Sequence, residues 1–393
     1  MAVKINVTIN GKEYYRIRKT VGKDKDGNDK LKPFYGTSKK DAEKKRDDWI
    51  HDSSLGLKIS DKQSLTMAVY IWLWNIERVS GNKGNSFSRY EGIYRNYVDD
   101  SDLGYLILSE IEKLTIQKHY TKMFENGKTY SQIKNMNKLL SKFFIYCLEE
   151  RYLLSNPCKG VKFNAYKNEN DIDFEDGIEL DDEGKVETFS DDEINSIVNF
   201  IRNEKLRIMS KLALATGLRQ GEILALRIPD IKDMTVFVTK TLSNVKIFDE
   251  PEKYHYEYII TRPKTKKSRR KVPIPIKLKN DLIELNKIKN IERLKLGELY
   301  QENDLLFPSS TGTFINSCNL LRSWERALNN IGVPYKKFHS LRHTYATQLI
   351  KNGTELITVS RLLGHASVKT TEIYAHVMES TKQEEVQSLN NLF

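Results

Sequence analysis

Polar and apolar positions alternate at the start of the chain and then switch period. KINVTI and KEYYRIRK each alternate, and Asn10–Gly11 between them supplies the residues a two-residue hairpin turn requires. DKDGND marks a second turn before LKPFYG. The pattern then becomes helical. Ser38, with Asp41 three residues on, forms a capping box ahead of DAEKKRDDWI. Residues 1–58 are therefore expected to form a three-stranded sheet with one helix. Over residues 62–165, SLTMAVYIWLWNIE, FSRYEGIYRNYV, IEKLTIQKHYTKMF and TYSQIKNMNKLLSKFFIYCLEERYLL repeat apolar residues at helical spacing. Four such segments with short connections predict a helical bundle. Trp72, Trp74, Phe143 and Phe144 fall in its expected core, and Asn156–Pro157 closes its last helix.

The pattern breaks at residues 166–187, where ten positions are Asp or Glu, and this stretch reads as an extended acidic linker. Ser190 and Glu193 form a second capping box, and helices are expected up to about Leu226. TVFVTKTL, YHYEYIIT and RRKVPIP follow as three strands. The rest is helical in pattern: LKNDLIELNKIKNIERLK, NLLRSWERALNNIG, SLRHTYATQLIKNG, ELITVSRLLG and VKTTEIYAHVME. The fold class expected is mainly α with small β-sheets (α+β). Its parts are an N-terminal sheet with one helix, a helical bundle, and a mixed α/β domain over residues 188–393.

Charge adds a partner to this picture. The chain of 393 residues carries 64 Lys and Arg against 53 Asp and Glu, a net charge of +11, which favours a polyanion. Residues 1–60 alone hold 15 basic and 9 acidic side chains. Tyr14, Arg16 and Arg18 alternate onto one strand face, which suits a DNA groove as well as a solvated surface. Cys147, Cys158 and Cys318 are too sparse for a disulfide framework and form no metal-ligand pair, which fits a reducing compartment. The N-terminus has charges where a signal peptide needs an apolar run, and no stretch of about 18 apolar residues occurs. A cytoplasmic protein without a membrane partner is expected.

Candidate chemistry gathers near the C-terminus. His339, His343, His365 and His376 lie within the last 55 residues. HSLRHTYATQLI sets His339 and Arg342 three apart, on one face of a helix start. RLLGHASVKTTEIYAHV puts His365 after a glycine-terminated helix, with Tyr374 nine residues further. Upstream, ATGLRQGEILALR places Arg219 at a helix start, and PKTKKSRRKVPI places Lys264 at a strand end. Two arginines can clamp phosphodiester oxygens, and two imidazoles can bond the same phosphate or move a proton. A lysine can protonate a leaving oxygen. A tyrosine hydroxyl is a poor nucleophile alone, but a cationic pocket brings its phenolate within reach. Such a set attacks phosphorus by positioning and charge, and calls for no metal and no other cofactor. No acidic cluster is spaced for Mg²⁺, and no GxxxxGK[ST] loop is present. Taken singly, each residue also fits an ordinary role in packing, capping or surface charge.

The combination is specific. ATGLRQGEILALR, PKTKKSRR, HSLRHTYAT and LLGHASVKTTEIYAHV occur in the order and approximate spacing of the tyrosine recombinase (phage integrase) family, which the chain resembles over residues 188–380. By that resemblance Arg219 and Arg342 are phosphate-clamping arginines. His339 and His365 contact the scissile phosphate, and Glu222 supports the site. Tyr374 is the nucleophile that becomes a 3′-phosphotyrosine. Lys264 takes the place of the lysine that protonates the 5′-oxygen, although Lys266, Lys267 and Lys271 share or border its turn. The upstream regions resemble the arm-binding domain (1–58) and the core-binding domain (62–165) of integrases from phages and Gram-positive conjugative transposons. That architecture implies double-stranded DNA with core-type and arm-type sites, and a homotetramer passing through a Holliday junction. An excisionase and a DNA-bending protein are the accessory partners it allows. The tail carries Val386, Leu389, Leu392 and Phe393, positions that in this family pack on a neighbouring subunit or otherwise fray.

Two alternatives compete with an integrase. A type IB topoisomerase-like enzyme would nick and close DNA as a monomer, with no need of the arm-type domain. A DNA-binding protein without catalysis would not need Arg219, Lys264, His339, Arg342, His365 and Tyr374 together.

Overall fold

A strand pair declares itself where Asn6–Ile9 (β1) runs antiparallel to Lys12–Lys23 (β2), which in turn pairs with Asp29–Gly36 (β3). This computed structural model describes residues 6–9, 12–23, 29–54, 63–78, 85–99, 101–163, 166, 186–251, 253–262, 268–365, 371, 373 and 374. The chain divides into two units. The first is Met1–Asn168 with Val245–Glu257, and the second is Glu169–Asn244 with Tyr258–Phe393.

In the first unit, Ile17 of β2 faces the buried Phe34 of β3, so these two share the covered face of the sheet. Tyr14, Arg16 and Arg18, offset from Ile17 by odd numbers of residues, lie on the other face. Helix α1 (Lys39–Ser54) packs through the fully buried Ala42. A Cβ on Gly36 would lie 2.3 Å from the Ala42 nitrogen, so only glycine lets the chain turn this close into the helix. The cap differs from the reciprocal box expected. Asp41 N–H donates to Ser38 Oγ at 3.2 Å, but the Asp41 carboxylate accepts from Thr37 N at 2.8 Å.

The bundle contains α2 (Leu65–Trp72), α3 (Asn85–Ile93), α4 (Lys113–Glu125) and α5 (Tyr130–Glu149). α2 and α3 each widen into a π-helical turn, Leu73–Glu77 and Tyr94–Val98, where a continued α-helix was expected. Trp72, Trp74, Phe143 and Phe144 are buried, and Trp72 meets Phe143 edge-on at 5.7 Å. Phe248, at the tip of a hairpin from later in the chain, joins this core edge-on to Trp74 and Phe87 at 5.5 and 5.6 Å.

The second unit carries α6 (Asp191–Phe200), α7 (Glu204–Thr216) and α8 (Gln220–Ala225). The Ser190–Glu193 capping box forms as expected, with both reciprocal bonds in place. TVFVTKTL is not one strand. It splits into β5 (Thr235–Val238) and the start of β6 (Thr241–Phe248), because the chain leaves one sheet for another at Thr239–Lys240. β5 lies between β4 (Ile231–Lys232) and β8 (Arg270–Pro273), while β6 pairs with β7 (Tyr254–Thr261). Helices α9 (Lys279–Leu296), α10 (Ser317–Asn330), α11 (Ser340–Lys351) and α12 (Leu356–Leu363) complete the described part. Trp324 of α10 is wholly buried, with its indole N–H donating to the Lys336 carbonyl at 2.8 Å. Among the described residues no helix is long and apolar enough to cross a membrane.

Most of the expected acidic linker, the C-terminal tail and the larger part of VKTTEIYAHVME lie outside the described residues. Two described residues of the linker, Tyr166 and Val186, are buried, each in a hydrophobic cluster of its own unit.

Candidate active site

Helix α7 stops at Gly217, whose φ of 60° is left-handed. A Cβ there would sit 2.4 Å from the Tyr345 ring. Two residues later Arg219 occupies the N-cap of α8, and Glu222 reaches back so that its Oε2 accepts from Arg219 N at 2.8 Å. The Arg219 guanidinium lies 3.5 Å from the same carboxylate and stays about a third exposed. Glu222 itself is buried, which pushes its carboxyl up. The hydrogen bonds and charge of Arg270, the charge of Arg342 and the Arg219 N–H outweigh that, and hold it below the usual range.

Arg342 lies in the first turn of α11 and is buried. Its Nη1 donates to the Gly217 carbonyl at 2.6 Å and its Nη2 to the Leu363 carbonyl at 2.8 Å. One side chain therefore ties the end of α7 to the end of α12, filling carbonyls that helix ends leave unpaired. Burial, then the charges of Arg219 and Arg270, bring its pKa down to about 9. His339 sits at the N-cap of α11, with its ring edge-on to that of His343 at 4.8 Å. α12 ends on Gly364 with φ 71°, and His365 follows, its Nδ1 2.8 Å from Thr371 Oγ1.

Tyr374 is almost completely buried, in an apolar cluster with Val186, Ala346, Ile350, Val359 and Leu363. Its hydroxyl lies 2.7 Å from His343 Nδ1. Burial, then the charges of His339, Arg342 and His365, push the His343 pKa down to about 2, so the imidazole beside the phenol is neutral. A neutral imidazole can accept a hydrogen bond from the phenol and orient its oxygen, but one held so far below its ordinary pKa does not take the proton.

Arg219, Glu222, His339, Arg342, His365 and Tyr374 thus converge, although up to 155 residues separate them in sequence. Lys264 lies outside the described residues. Tyr14, Arg16 and Arg18 belong to the sheet of the first unit. Three members of the site carry no role in the sequence reading: Arg270, His343 and Thr371. His343 had a signal, since it falls one turn after His339 on the same helix face. Arg270 and Thr371 had none.

Residues 187–381 match the phage integrase family, and a curated tyrosine recombinase is 40% identical to the chain over its whole length, so the chain belongs to the tyrosine recombinase (phage integrase) family. That relative, "Tyrosine recombinase XerC-like" of Caldanaerobacter subterraneus subsp. tengcongensis, is covered over 100% of its own length. The ICEBs1 integrase of Bacillus subtilis is 26% identical over 79% of each chain. Among solved structures, the Tn1549 transposon integrase in complex with transposon right end DNA has the same fold. It aligns with a TM-score of 0.65 and 17% identity, over 84% of this chain and 100% of that one.

Proposed function

We propose that this chain is the integrase of a mobile genetic element, a site-specific recombinase that cuts and rejoins double-stranded DNA through Tyr374. The observation that carries the reading is the Tyr374 hydroxyl, 2.7 Å from the neutral His343, in a pocket shared with Arg219, Arg342, His339 and His365. In the step inferred, the Tyr374 oxygen attacks phosphorus and the P–O5′ bond breaks. A 3′-phosphotyrosine forms, and the 5′-oxygen leaves with a proton from Lys264. Arg219 and Arg342 stabilise the charge on the non-bridging oxygens, using guanidinium N–H groups beyond those Arg342 gives to carbonyls. His339 and His365 add hydrogen bonds to the phosphate, and one of them takes the Tyr374 phenol proton as its oxygen attacks. The 5′-hydroxyl of a partner strand reverses the attack. The phosphotyrosine conserves the energy of the broken bond, and side-chain cations supply the charge stabilisation, so the reading needs neither ATP nor metal.

The domain roles belong to the same proposal. Residues 1–58 would bind arm-type sites, with Tyr14, Arg16 and Arg18 on the DNA side. Residues 62–165 would clamp the core site, 166–187 would link, and 188–393 would catalyse, with the tail acting between subunits. The relatives' own descriptions support the integrase reading: an ICEBs1 integrase, a transposon integrase with transposon end DNA, and a lambda integrase tetramer bound to a Holliday junction. By analogy the chain would act as a tetramer through such a junction, with an excision factor and a DNA-bending protein as partners.

A core-site suicide substrate, nicked beside the cut position, tests the reading without metal or ATP. Wild type is expected to give a DNA-shifted band on a denaturing protein gel. Tyr374→Phe should bind the same DNA with similar affinity and give no band. A band from Tyr374→Phe would remove Tyr374 from the nucleophile's role.

A further inference from the structure

Arg270 is the best-connected side chain of the site that the chemistry above does not use. It opens β8, directly after the segment that carries Lys264. Its side chain is 5% exposed and the Glu222 side chain 4%. The two form a fork-on-fork pair, with Nη1 to Oε1 at 2.9 Å and Nη2 to Oε2 at 2.8 Å. The remaining nitrogen, Nε, donates to the Leu362 carbonyl at 2.6 Å, and Nη1 also reaches the Ser268 carbonyl at 3.3 Å. All three guanidinium nitrogens are therefore engaged, on two helices and on the residues just before β8.

The contacts with Glu222 and Leu362 lead to residues of the pocket. Glu222 caps the backbone of Arg219. Leu362 is one of the last residues of α12, three before His365. The next carbonyl, Leu363, is the one that Arg342 fills. Two buried guanidiniums thus close the negative end of one helix, side by side. Gly364 shows how tightly this is built. Its φ is 71°, and a Cβ there would stand 2.9 Å from Arg270 Cδ and 3.1 Å from Nη1. The glycine before His365 is needed both for the turn and for the passage of Arg270.

We propose that Arg270 is a positioning residue: it fixes the Arg219 side of the phosphate pocket to the His365 side by bridging Glu222 and the end of α12. This rests on the recombinase reading above. Lysine keeps the charge but cannot bridge a carboxylate and a carbonyl in one plane. Methionine alone would strand a buried carboxylate, so the second variant pairs Arg270→Met with Glu222→Gln, whose amide oxygen still accepts from Arg219 N.

The test is single-turnover covalent-complex formation on the suicide substrate, read as rate constant and final amplitude, beside DNA affinity and thermal melting. Arg270→Lys and the double variant are expected to keep the wild-type amplitude and bind core DNA within about threefold. They should cleave roughly ten- to a hundredfold slower, the size of loss that a misplaced clamp produces. A purely structural role would lower the amplitude, by removing competent molecules, and leave the rate constant of the remainder unchanged. That result, or wild-type rates in both variants, would overturn the role of Arg270 alone. No covalent product from wild type would overturn the recombinase reading, and this role with it.

Discussion

Helices α5 and α11 each bury eight residues, and the two sets differ in chemistry. In α5 they are Tyr130, Ile133, Met136, Leu139, Leu140, Phe143, Phe144 and Cys147, an apolar stripe at helical spacing. In α11 five of the eight are Ser340, Arg342, His343, Thr344 and Thr347. The bundle helix is held by burial, which has no direction and scales with area. The site helix is held by directed bonds: Ser340 Oγ to the Glu187 carboxylate at 2.9 Å, Phe189 N to Thr344 Oγ1 at 2.9 Å, and Arg342 to two carbonyls. A helix that must aim charged groups at one point needs bonds that fix its rotation as well as its depth.

If that contrast is right, the two helices should fail differently. The largest stability loss is expected from Phe143→Ala in α5, which leaves a cavity beside Trp72. It should cost about 3–5 kcal/mol of unfolding free energy, read from denaturant midpoints. A cost below about 1 kcal/mol would mean that this core is not the close-packed body described. Thr344→Val in α11 should come next, although it barely changes volume. It strands the buried Phe189 N–H and removes the hydroxyl that also donates to the Ser340 carbonyl at 2.8 Å. The expected loss is roughly 1–3 kcal/mol. A neutral result would show that water or a relaxed backbone replaces the bond, and that direction matters less here than proposed.

The same contrast decides what the sequence makes legible. The bundle can be read from its period alone, because repeated apolar positions state which face is covered. The π-helical turns at Leu73–Glu77 and Tyr94–Val98 do not show in that period, since one extra residue per turn barely disturbs it over five positions. TVFVTKTL reads as one strand because propensity does not record which sheet a strand joins. The site could be read in another way. Arg219, His339, Arg342, His365 and Tyr374 stand out by residue type and order, with almost no help from periodicity. Arg270 stayed hidden because its partners lie 48 and 92 residues away, and nothing local separates it from Arg269. Its role comes entirely from tertiary pairing.

The smallest effect, and the one that reaches furthest into the site, is a pH dependence written into α11. His343 has an ordinary pKa of 6.5 and is pushed down to about 2 by burial and then by His339, Arg342 and His365. Between those values the unfolded chain binds a proton that the folded chain refuses. Stability therefore rises with pH across this window, is fully present above about 6.5, and is lost as the pH falls. From pH 7.0 to 5.5 the loss through this one group should be about 1 kcal/mol. His343→Gln has no such proton to refuse, so its unfolding free energy should fall by about that much less over the same interval. Nothing of this kind is expected from α5, which buries no histidine. Parallel pH profiles for wild type and His343→Gln would mean that His343 binds its proton as readily in the folded protein as in the unfolded chain. Below about pH 6.5 its Nδ1 would then donate to the Tyr374 oxygen, where the neutral imidazole can accept from it.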